Sequence, residues 1–130
     1  MELERDERMV KMSNIKIHNS EMHIMNKIWD EGQIRAIDLA NWALENLGWK
    51  KNTTYTVIKK LVDKEAVQRT EPDFMLTPLV TRAEIAADET NQLVVKMFKG
   101  NVSLFLASLL ENQELTSEEI NTLRELIDKH

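Results

Sequence analysis

The sequence contains no cysteine, and only three of its 130 residues are glycine and two are proline. Without cysteine there can be no disulfide bond, thiolate metal site or cysteine nucleophile. So few glycines and prolines leave little room for long loops, and helices should therefore predominate. No apolar run approaches the roughly 18 residues that span a bilayer, and the charged N-terminus does not resemble a signal peptide. We expect a cytoplasmic protein with no membrane partner.

Motifs for catalysis are also missing. The three histidines, His18, His23 and His130, have no paired spacing that would suit a metal ion. There is no Gly-rich phosphate loop, HExxH motif or serine elbow. We therefore predict that the protein is not an enzyme and uses no metal and no cofactor. With 42% apolar and 30% charged residues, the chain has the composition of one ordinary globular domain, or of a small domain with an appended element.

Positive charge is concentrated in one segment of an acidic chain. The formal net charge is −5, with 17 basic and 22 acidic residues. Residues 81–130 are the more acidic part, whereas residues 50–69 have a local net charge of +4. That segment contains six basic residues, Lys50, Lys51, Lys59, Lys60, Lys64 and Arg69. A basic segment in an acidic protein favours a local anion-binding face over indiscriminate binding of nucleic acid.

The basic segment has the periodicity of a helix. Its apolar residues Val57, Ile58, Leu61 and Val62, with Thr54 one turn earlier, follow the spacing of a helix that buries one stripe. The opposite face carries hydroxyl, amide and ammonium groups on Asn52, Thr53, Tyr55, Thr56, Lys59 and Lys60, together with Asp63. Hydroxyls and amides suit contacts to base edges, and lysines suit phosphates. The alternative is an ordinary solvated helix face.

Two more helices precede this one. Ser20 offers an N-cap for a first helix that ends at Gly32, and residues 33–36 are predicted to be extended. Asp38 lies at the start of a second helix that ends at Gly48. Because only a few residues separate the second helix from the basic one, the pair has the sequence form of a helix-turn-helix.

A β-hairpin follows the third helix. Residues 66–70 alternate like a strand, residues 71–73 form a turn, and residues 74–79 return as a second strand, which Pro78 places at an edge or makes short. Three helices followed by a hairpin is the order of a winged helix-turn-helix domain. We therefore predict a mainly α-helical fold with a winged-helix DNA-binding domain at residues 17–80, after a flexible extension at residues 1–16.

Residues 81–130 have a different character. Capping boxes at Thr81–Glu84 and Thr116–Glu119 start two helices, and residues 102–110 between them are densely apolar. The segment is too short for a core of its own, so we predict a helical dimerisation region. The alternative is a tail folded back on its own winged helix. The predicted dimer contacts are Val94, Met97, Phe98, Val102, Leu104, Phe105, Leu106, Leu109, Leu110, Ile120, Leu123, Leu126 and Ile127.

This arrangement resembles the penicillinase and methicillin-resistance repressors of the BlaI/MecI type, with copper-responsive repressors as more distant relatives. The resemblance covers the chain from about Ile17 to the C-terminus. The segments that carry it are residues 21–29, Trp49 with residues 53–61, Leu79-Val80, residues 98–101 and residues 115–126.

The resemblance implies a transcriptional repressor that binds a dyad-symmetric DNA operator as a homodimer. It places Thr53, Tyr55 and Thr56 nearest the bases. The full predicted DNA-binding set is Lys50, Lys51, Asn52, Thr53, Thr54, Tyr55, Thr56, Lys59, Lys60 and, at the wing, Arg69. Family members often have a basic residue in place of Tyr55, so a bidentate contact to guanine is not available from that position.

The resemblance also bears on regulation. Relatives are inactivated when a membrane-bound sensor directs cleavage of an Asn-Phe bond in the dimerisation region, which makes a sensor protease a candidate partner. This sequence has no Asn-Phe bond. Either another bond is cleaved or another signal is used. The copper-responsive branch uses a C-terminal cysteine cluster, which is excluded here.

A winged helix that binds only other proteins is the main alternative function, because a fold does not determine its function. Salt dependence distinguishes the two. Binding to DNA through several basic residues weakens steeply as ionic strength rises.

Overall fold

The computed structural model describes residues 15–130, and the first fourteen residues of the predicted extension lie outside this range. The described part contains six helices and three short strands. In chain order they are α1 (Asn19–Glu31), β1 (Ile34–Arg35), α2 (Ala36–Leu47), α3 (Lys51–Asp63), β2 (Val67–Thr70), β3 (Met75–Pro78), α4 (Arg82–Phe98), α5 (Val102–Asn112) and α6 (Ser117–Lys129). The predicted mainly helical, winged helix-turn-helix fold is confirmed.

Helix α1 buries Ile24, Met25 and Ile28 completely. Ser20 was predicted as its N-cap, and this is wrong. The N-cap is His18, whose backbone N–H donates to Oε1 of Glu21 at 2.8 Å. The helix ends at Gly32, whose φ of +80° is a conformation that side-chain-bearing residues rarely adopt.

The three strands form one antiparallel sheet in the order β1-β3-β2. The central strand β3 pairs with β2 from Val67↔Pro78 to Thr70↔Met75. Pro78 therefore lies in the middle strand, so the first predicted alternative, a sheet edge, is wrong, while the second, a short strand, is confirmed by its length of four residues. Proline is accommodated because β1 is only two residues long and pairs only with Leu76 and Met75, so no β1 residue lies opposite Pro78.

The packing contacts divide the chain into two compact units, with the boundary between Glu89 and Thr90. We call residues 15–89 the winged-helix unit and residues 90–130 the tail unit. The boundary lies further along the chain than the predicted one at residue 80. The core of the winged-helix unit is formed by Ile17, Ile24, Met25, Ile28, Ala36, Leu39, Ala43, Val57, Ile58, Leu61, Ala66, Val67, Leu76 and Ile85.

The start of α4 belongs to the winged-helix unit. The predicted capping contact at Thr81 is confirmed, since its hydroxyl oxygen accepts the Glu84 N–H at 3.0 Å. Nε1 of Trp29 donates to the Val80 carbonyl at 2.8 Å, and Nη2 of Arg82 lies 2.9 Å from Oδ1 of Asp30. These contacts connect the first turn of α4 to the C-terminal end of α1.

Helices α5 and α6 of the tail unit start at well-formed caps. The Asn101 side chain accepts the Leu104 N–H, and Thr116 forms the predicted capping box with Glu119. Within residues 15–130, no single helix is long and apolar enough to cross a membrane; α4 and α5 reach that length and composition only as a pair joined across a 93° bend.

Candidate nucleic-acid interface

Helix α3 is held in place by the turn that precedes it. Gly48 ends α2 in the left-handed conformation (φ +69°, ψ 20°), and the Trp49 N–H donates to the Ala43 carbonyl at 3.2 Å. The Trp49 ring meets His23 of α1 edge to face, with centroids 6.3 Å apart. A turn of only three residues therefore connects α2 to α3, and packing on α1 fixes its conformation.

The outward face of α3 carries the predicted DNA-binding groups. Exposed residues on this helix and at its N-cap are Lys50, Lys51, Asn52, Thr53, Thr56, Lys59, Lys60 and Asp63. Within residues 15–130, none of the four lysines in this set forms an ion pair. Their charges are therefore available to an external anion.

The N-terminal end of α3 is also electropositive. Its N-cap, Lys50, makes no side-chain capping bond, and no acidic residue lies in the first turn. The first-turn N–H groups of a helix carry partial positive charge and suit phosphate oxygens. The other described helices have acidic residues in the first turn or a side-chain cap, namely Glu21 in α1, Asp38 in α2, Glu84 in α4, Asn101 at α5, and Glu118 and Glu119 in α6.

The hydrogen bonding of Thr56 determines which groups of its side chain can contact a ligand. Its hydroxyl donates to the Asn52 carbonyl one turn earlier at 2.9 Å. The hydroxyl proton is thus used within the helix, while the oxygen lone pairs and the γ-methyl group remain free to contact a ligand. A methyl group at this position suits an apolar contact, such as that with the methyl group of thymine.

Thr54 is not part of this surface, which corrects its inclusion among the DNA-binding residues. It is 0% exposed and lies on the buried stripe with Val57, Ile58 and Leu61. Its hydroxyl oxygen has no hydrogen-bond partner in the described part of the chain. Helical periodicity places residue 54 on the same face as 57, 58 and 61, so its side chain points into the core.

The wing contributes Arg69, which is exposed but already engaged. Its Nε and Nη2 both lie 2.9 Å from Oε1 of Glu71. Its guanidinium carbon lies 4.1 Å from the centroid of the Phe74 ring. The ring of Tyr55, which is half-buried on α3, lies 6.2 Å from the Phe74 ring. The structure thus brings together the predicted residues Tyr55 and Arg69 through Phe74, which the sequence did not single out.

Lys64, one of the six basic residues of the segment, is turned inward. Its Nζ lies 2.6 Å from Oε1 of Glu21 and donates to the Lys16 carbonyl at 2.8 Å. Burial raises the pKa of the Glu21 carboxyl, but the hydrogen bonds from Lys64 and the His18 N–H and the nearby positive charges outweigh burial and hold the pKa below its ordinary value. This pair ties the C-terminal end of α3 to α1. Sequence reasoning missed it because no local pattern marks a partner 43 residues away.

The tail unit provides the second candidate surface. Val94 is buried within its own chain, so its prediction as a dimer contact is corrected. The other predicted dimer residues are exposed or half-buried. The exposed ones are Met97, Val102, Leu104, Leu109, Leu110, Leu126 and Ile127, and the half-buried ones are Phe98, Phe105, Leu106, Ile120 and Leu123.

The described residues contain no group of three or more His, Asp or Glu side chains that could hold a metal ion. The exposed face of α3 offers hydrogen-bonding groups and positive charge. A short turn between two helices, a basic face on the second helix and an adjacent wing define the class: winged helix-turn-helix proteins that bind DNA.

The chain matches the family model described as Penicillinase repressor over residues 17–129. It belongs to the penicillinase repressor family, which is a family of transcriptional repressors and not of enzymes. The resemblance to BlaI and MecI is thereby confirmed, and the chain is a DNA-binding repressor of this family.

Individual relatives are distant but similar over nearly their whole length. A penicillinase repressor of Bacillus licheniformis is 22% identical over 117 residues, which cover 88% of this chain and 91% of the relative. The methicillin resistance regulatory protein MecI of Staphylococcus aureus (strain N315) is 24% identical over 116 residues, covering 88% and 94%. The solution structure of the DNA-binding domain of the repressor BlaI has a TM-score of 0.49 and 20% identity, and covers 53% of this chain and 87% of that domain.

Proposed function

We propose that the protein represses transcription in the cytoplasm as a homodimer that binds a dyad-symmetric operator. Each α3 enters the major groove of one half-site, and the tail units join the two chains. The observation that carries the proposal is the exposed face of α3, where four lysines have no ion-pair partner within residues 15–130. A surface of unpaired cations beside hydroxyl and amide groups is complementary to a DNA groove.

The exposed residues of α3 divide by their chemistry. Thr53 and Thr56 lie nearest the bases, with the Thr56 methyl group available to thymine because its hydroxyl proton is donated to Asn52. Phosphates are contacted by the unpaired groups at the start and along the edges of the helix, Lys50, Lys51, Asn52, Lys59 and Lys60, and by Arg69 at the wing.

The exposed apolar residues of the tail unit support dimerisation through this region. Leu104 is 52% exposed and Ile127 is 56% exposed, and such side chains gain free energy when a second copy covers them. Two linked half-site contacts bind far more tightly than one because the second is intramolecular. We propose that repression is relieved when this region is cleaved, with a sensor protease as one agent, or when its dimer contacts are otherwise broken.

Footprinting the purified protein on the DNA upstream of its own gene tests the proposal. We expect a protected dyad, and binding that weakens with a log–log salt slope of about −0.9 for each phosphate neutralised. The absence of protection together with salt-independent behaviour would contradict it and favour a protein-binding winged helix.

Point variants test the division of roles. Lys59→Ala and Lys60→Ala should weaken binding to all duplexes alike, whereas Thr53→Ala should change which sequence is preferred. Lys129→Ala, which removes a lysine from the end of α6, is the matched control and should leave the salt slope unchanged. If the lysine and threonine variants behave alike, the division is wrong.

A further inference from the structure

Tyr55, one of the three residues predicted to contact bases, packs its ring against other residues of the protein. It is half-buried, unlike its exposed neighbours Thr53 and Thr56. It lies one turn before the buried Ile58, at the edge of the stripe that packs into the core. Its ring faces Phe74 of the wing at a centroid distance of 6.2 Å and an interplanar angle of 58°. That separation and tilt lie in the range that aromatic pairs prefer.

Phe74 is held in an unusual backbone conformation. Its φ of +50° lies in the left-handed region, which is costly for an aromatic residue and persists only where surrounding contacts enforce it. Here the Phe74 carbonyl accepts the Ala36 N–H at 3.0 Å. The Phe74 ring lies close to both Tyr55 and the Arg69 guanidinium. The strained residue thus connects α3 to the wing.

Arg69 completes the stack. It lies two residues from the buried Val67 on β2, so both side chains leave the same face of the sheet, the face that packs on the helices. Its guanidinium stacks over Phe74 at 4.1 Å, and Glu71 accepts from Nε and Nη2. These contacts orient the guanidinium plane, and its other N–H groups have no hydrogen-bond partner within residues 15–130, so they are left for an external acceptor.

We infer that Tyr55 is a positioning residue: through Phe74, its ring holds the Arg69 guanidinium in place against a phosphate of the DNA backbone, and its hydroxyl does not read a base. The inference rests on the proposed function and assigns one residue within it a different role. Fixing an arginine before binding reduces the rotamer entropy that is lost on contact, so the stack strengthens the wing contact without adding a contact of its own.

Variants that keep or remove the ring of Tyr55 distinguish its role from that of the hydroxyl. The full-length chain and four variants, Tyr55→Phe, Tyr55→Leu, Arg69→Ala and the Tyr55→Leu/Arg69→Ala double variant, are titrated against an upstream dyad duplex and a scrambled duplex of equal length. Each titration is repeated at several salt concentrations. Circular dichroism verifies that every variant is folded.

We expect Tyr55→Phe to bind both duplexes within about twofold of the unsubstituted chain, because the ring is retained. Tyr55→Leu and Arg69→Ala should each weaken binding to both duplexes by about threefold to tenfold and reduce the salt slope by about one phosphate. The double variant should bind no more weakly than the weaker single variant, because both changes remove the same contact.

Val62→Ala is the matched control, since Val62 is a half-buried residue two turns further along the same edge of α3. It should leave the salt slope unchanged. A slope reduced as much as in Tyr55→Leu would show a general loss of stability and overturn the inference.

Three other results also overturn it: a changed base preference in Tyr55→Phe, which would make the hydroxyl a base reader; additive effects in the double variant; or normal binding by Tyr55→Leu. Each leaves the proposed function intact. If the unsubstituted chain binds neither duplex, the proposed function fails, and the role of the stack in DNA binding fails with it.

Discussion

The two units of the chain bury their apolar side chains very differently. In the winged-helix unit, Ile24, Met25 and Leu39 are 0% exposed. In the tail unit, α5 and α6 contain no buried residue, and Val94 of α4 is the only buried residue of residues 90–130. The first unit satisfies its core within one chain. The second presents exposed apolar residues of the kind that a second copy would cover in the proposed dimer, whereas the core of the winged helix needs no second chain.

Deleting residues 102–130 should have the largest effect. Every residue of the winged-helix core precedes residue 86, so the truncated chain should stay folded but become monomeric. Affinity for a dyad operator should fall by about 10²–10⁴-fold, since the linked second half-site is lost, while affinity for a half-site duplex stays the same. Gel filtration and binding titrations measure both. Unchanged affinity for the dyad would show that the tail does not join the two chains.

The second-largest effect is expected for Leu126→Glu in the tail unit, with Leu44→Glu in the winged-helix unit as its matched control. The two leucines are similarly exposed, 50% and 48%. Glutamate at residue 126 should weaken dimerisation by about 10–100-fold, because it puts a charge into an apolar contact. Glutamate at residue 44 should leave dimerisation unchanged. Sedimentation velocity measures both, and equal effects would remove the distinction between the two surfaces.

Glu21→Gln tests whether the winged-helix unit depends on its internal ion pair. The Glu21 side chain is 2% exposed, and its pKa is lowered in the folded chain. The pair therefore stabilises the fold above the ordinary glutamate pKa, and this stability is lost as pH falls through the folded pKa. At neutral pH, the free energy of unfolding of the variant should be lower than that of the unsubstituted chain by roughly 2 kcal/mol. As the pH falls, the free energy of unfolding should decrease less in the variant than in the unsubstituted chain.

Urea unfolding at pH 7 and at lower pH gives these values. Glu31→Gln is the matched control, because the Lys27–Glu31 pair has a similar distance, 2.8 Å, but is more exposed. It should cost less than about 0.5 kcal/mol. If the free energy of unfolding falls by a similar amount in both variants, burial of Glu21 does not increase the stabilisation that its ion pair provides.

Thr54→Val should have the smallest effect and the opposite sign. Valine has nearly the same shape and removes a buried hydroxyl that has no hydrogen-bond partner in residues 15–130. We expect a gain of about 1 kcal/mol in the free energy of unfolding and unchanged operator affinity. Thr53→Val, one residue earlier on the exposed face, should instead alter operator binding. Loss of DNA binding by Thr54→Val would return Thr54 to the interface.

The ends of several helices can be predicted from the sequence. Periodicity and capping residues act over a few positions, so Gly32, Gly48 and the capping box at Thr116 were assigned correctly. The N-cap of α1 was misassigned because Ser20 is a better intrinsic cap than His18. The Glu21 carboxylate, which pairs with a distant lysine, also accepts the His18 N–H.

The candidate site could be predicted only in part for a related reason. The exposed face of α3 follows from its periodicity alone. The same periodicity already places Thr54 on the buried stripe. Its inclusion among the DNA-binding residues was inconsistent with that periodicity. The contacts of Tyr55, Phe74 and Arg69 depend on how the wing packs against α3, and a left-handed Phe74 has no sequence signal. Side-chain contacts between residues that are far apart in the sequence can therefore be identified only from the structure.

The positions of the tryptophans have a practical consequence. All three, Trp29, Trp42 and Trp49, lie in the winged-helix unit. Intrinsic fluorescence will therefore follow that unit alone, whereas far-ultraviolet circular dichroism will also record the helices of the tail. Because Trp49 lies in the turn that leads into α3, its emission should change when this helix is displaced or meets DNA. Two optical signals from the unlabelled protein can thus follow the melting of the two units separately.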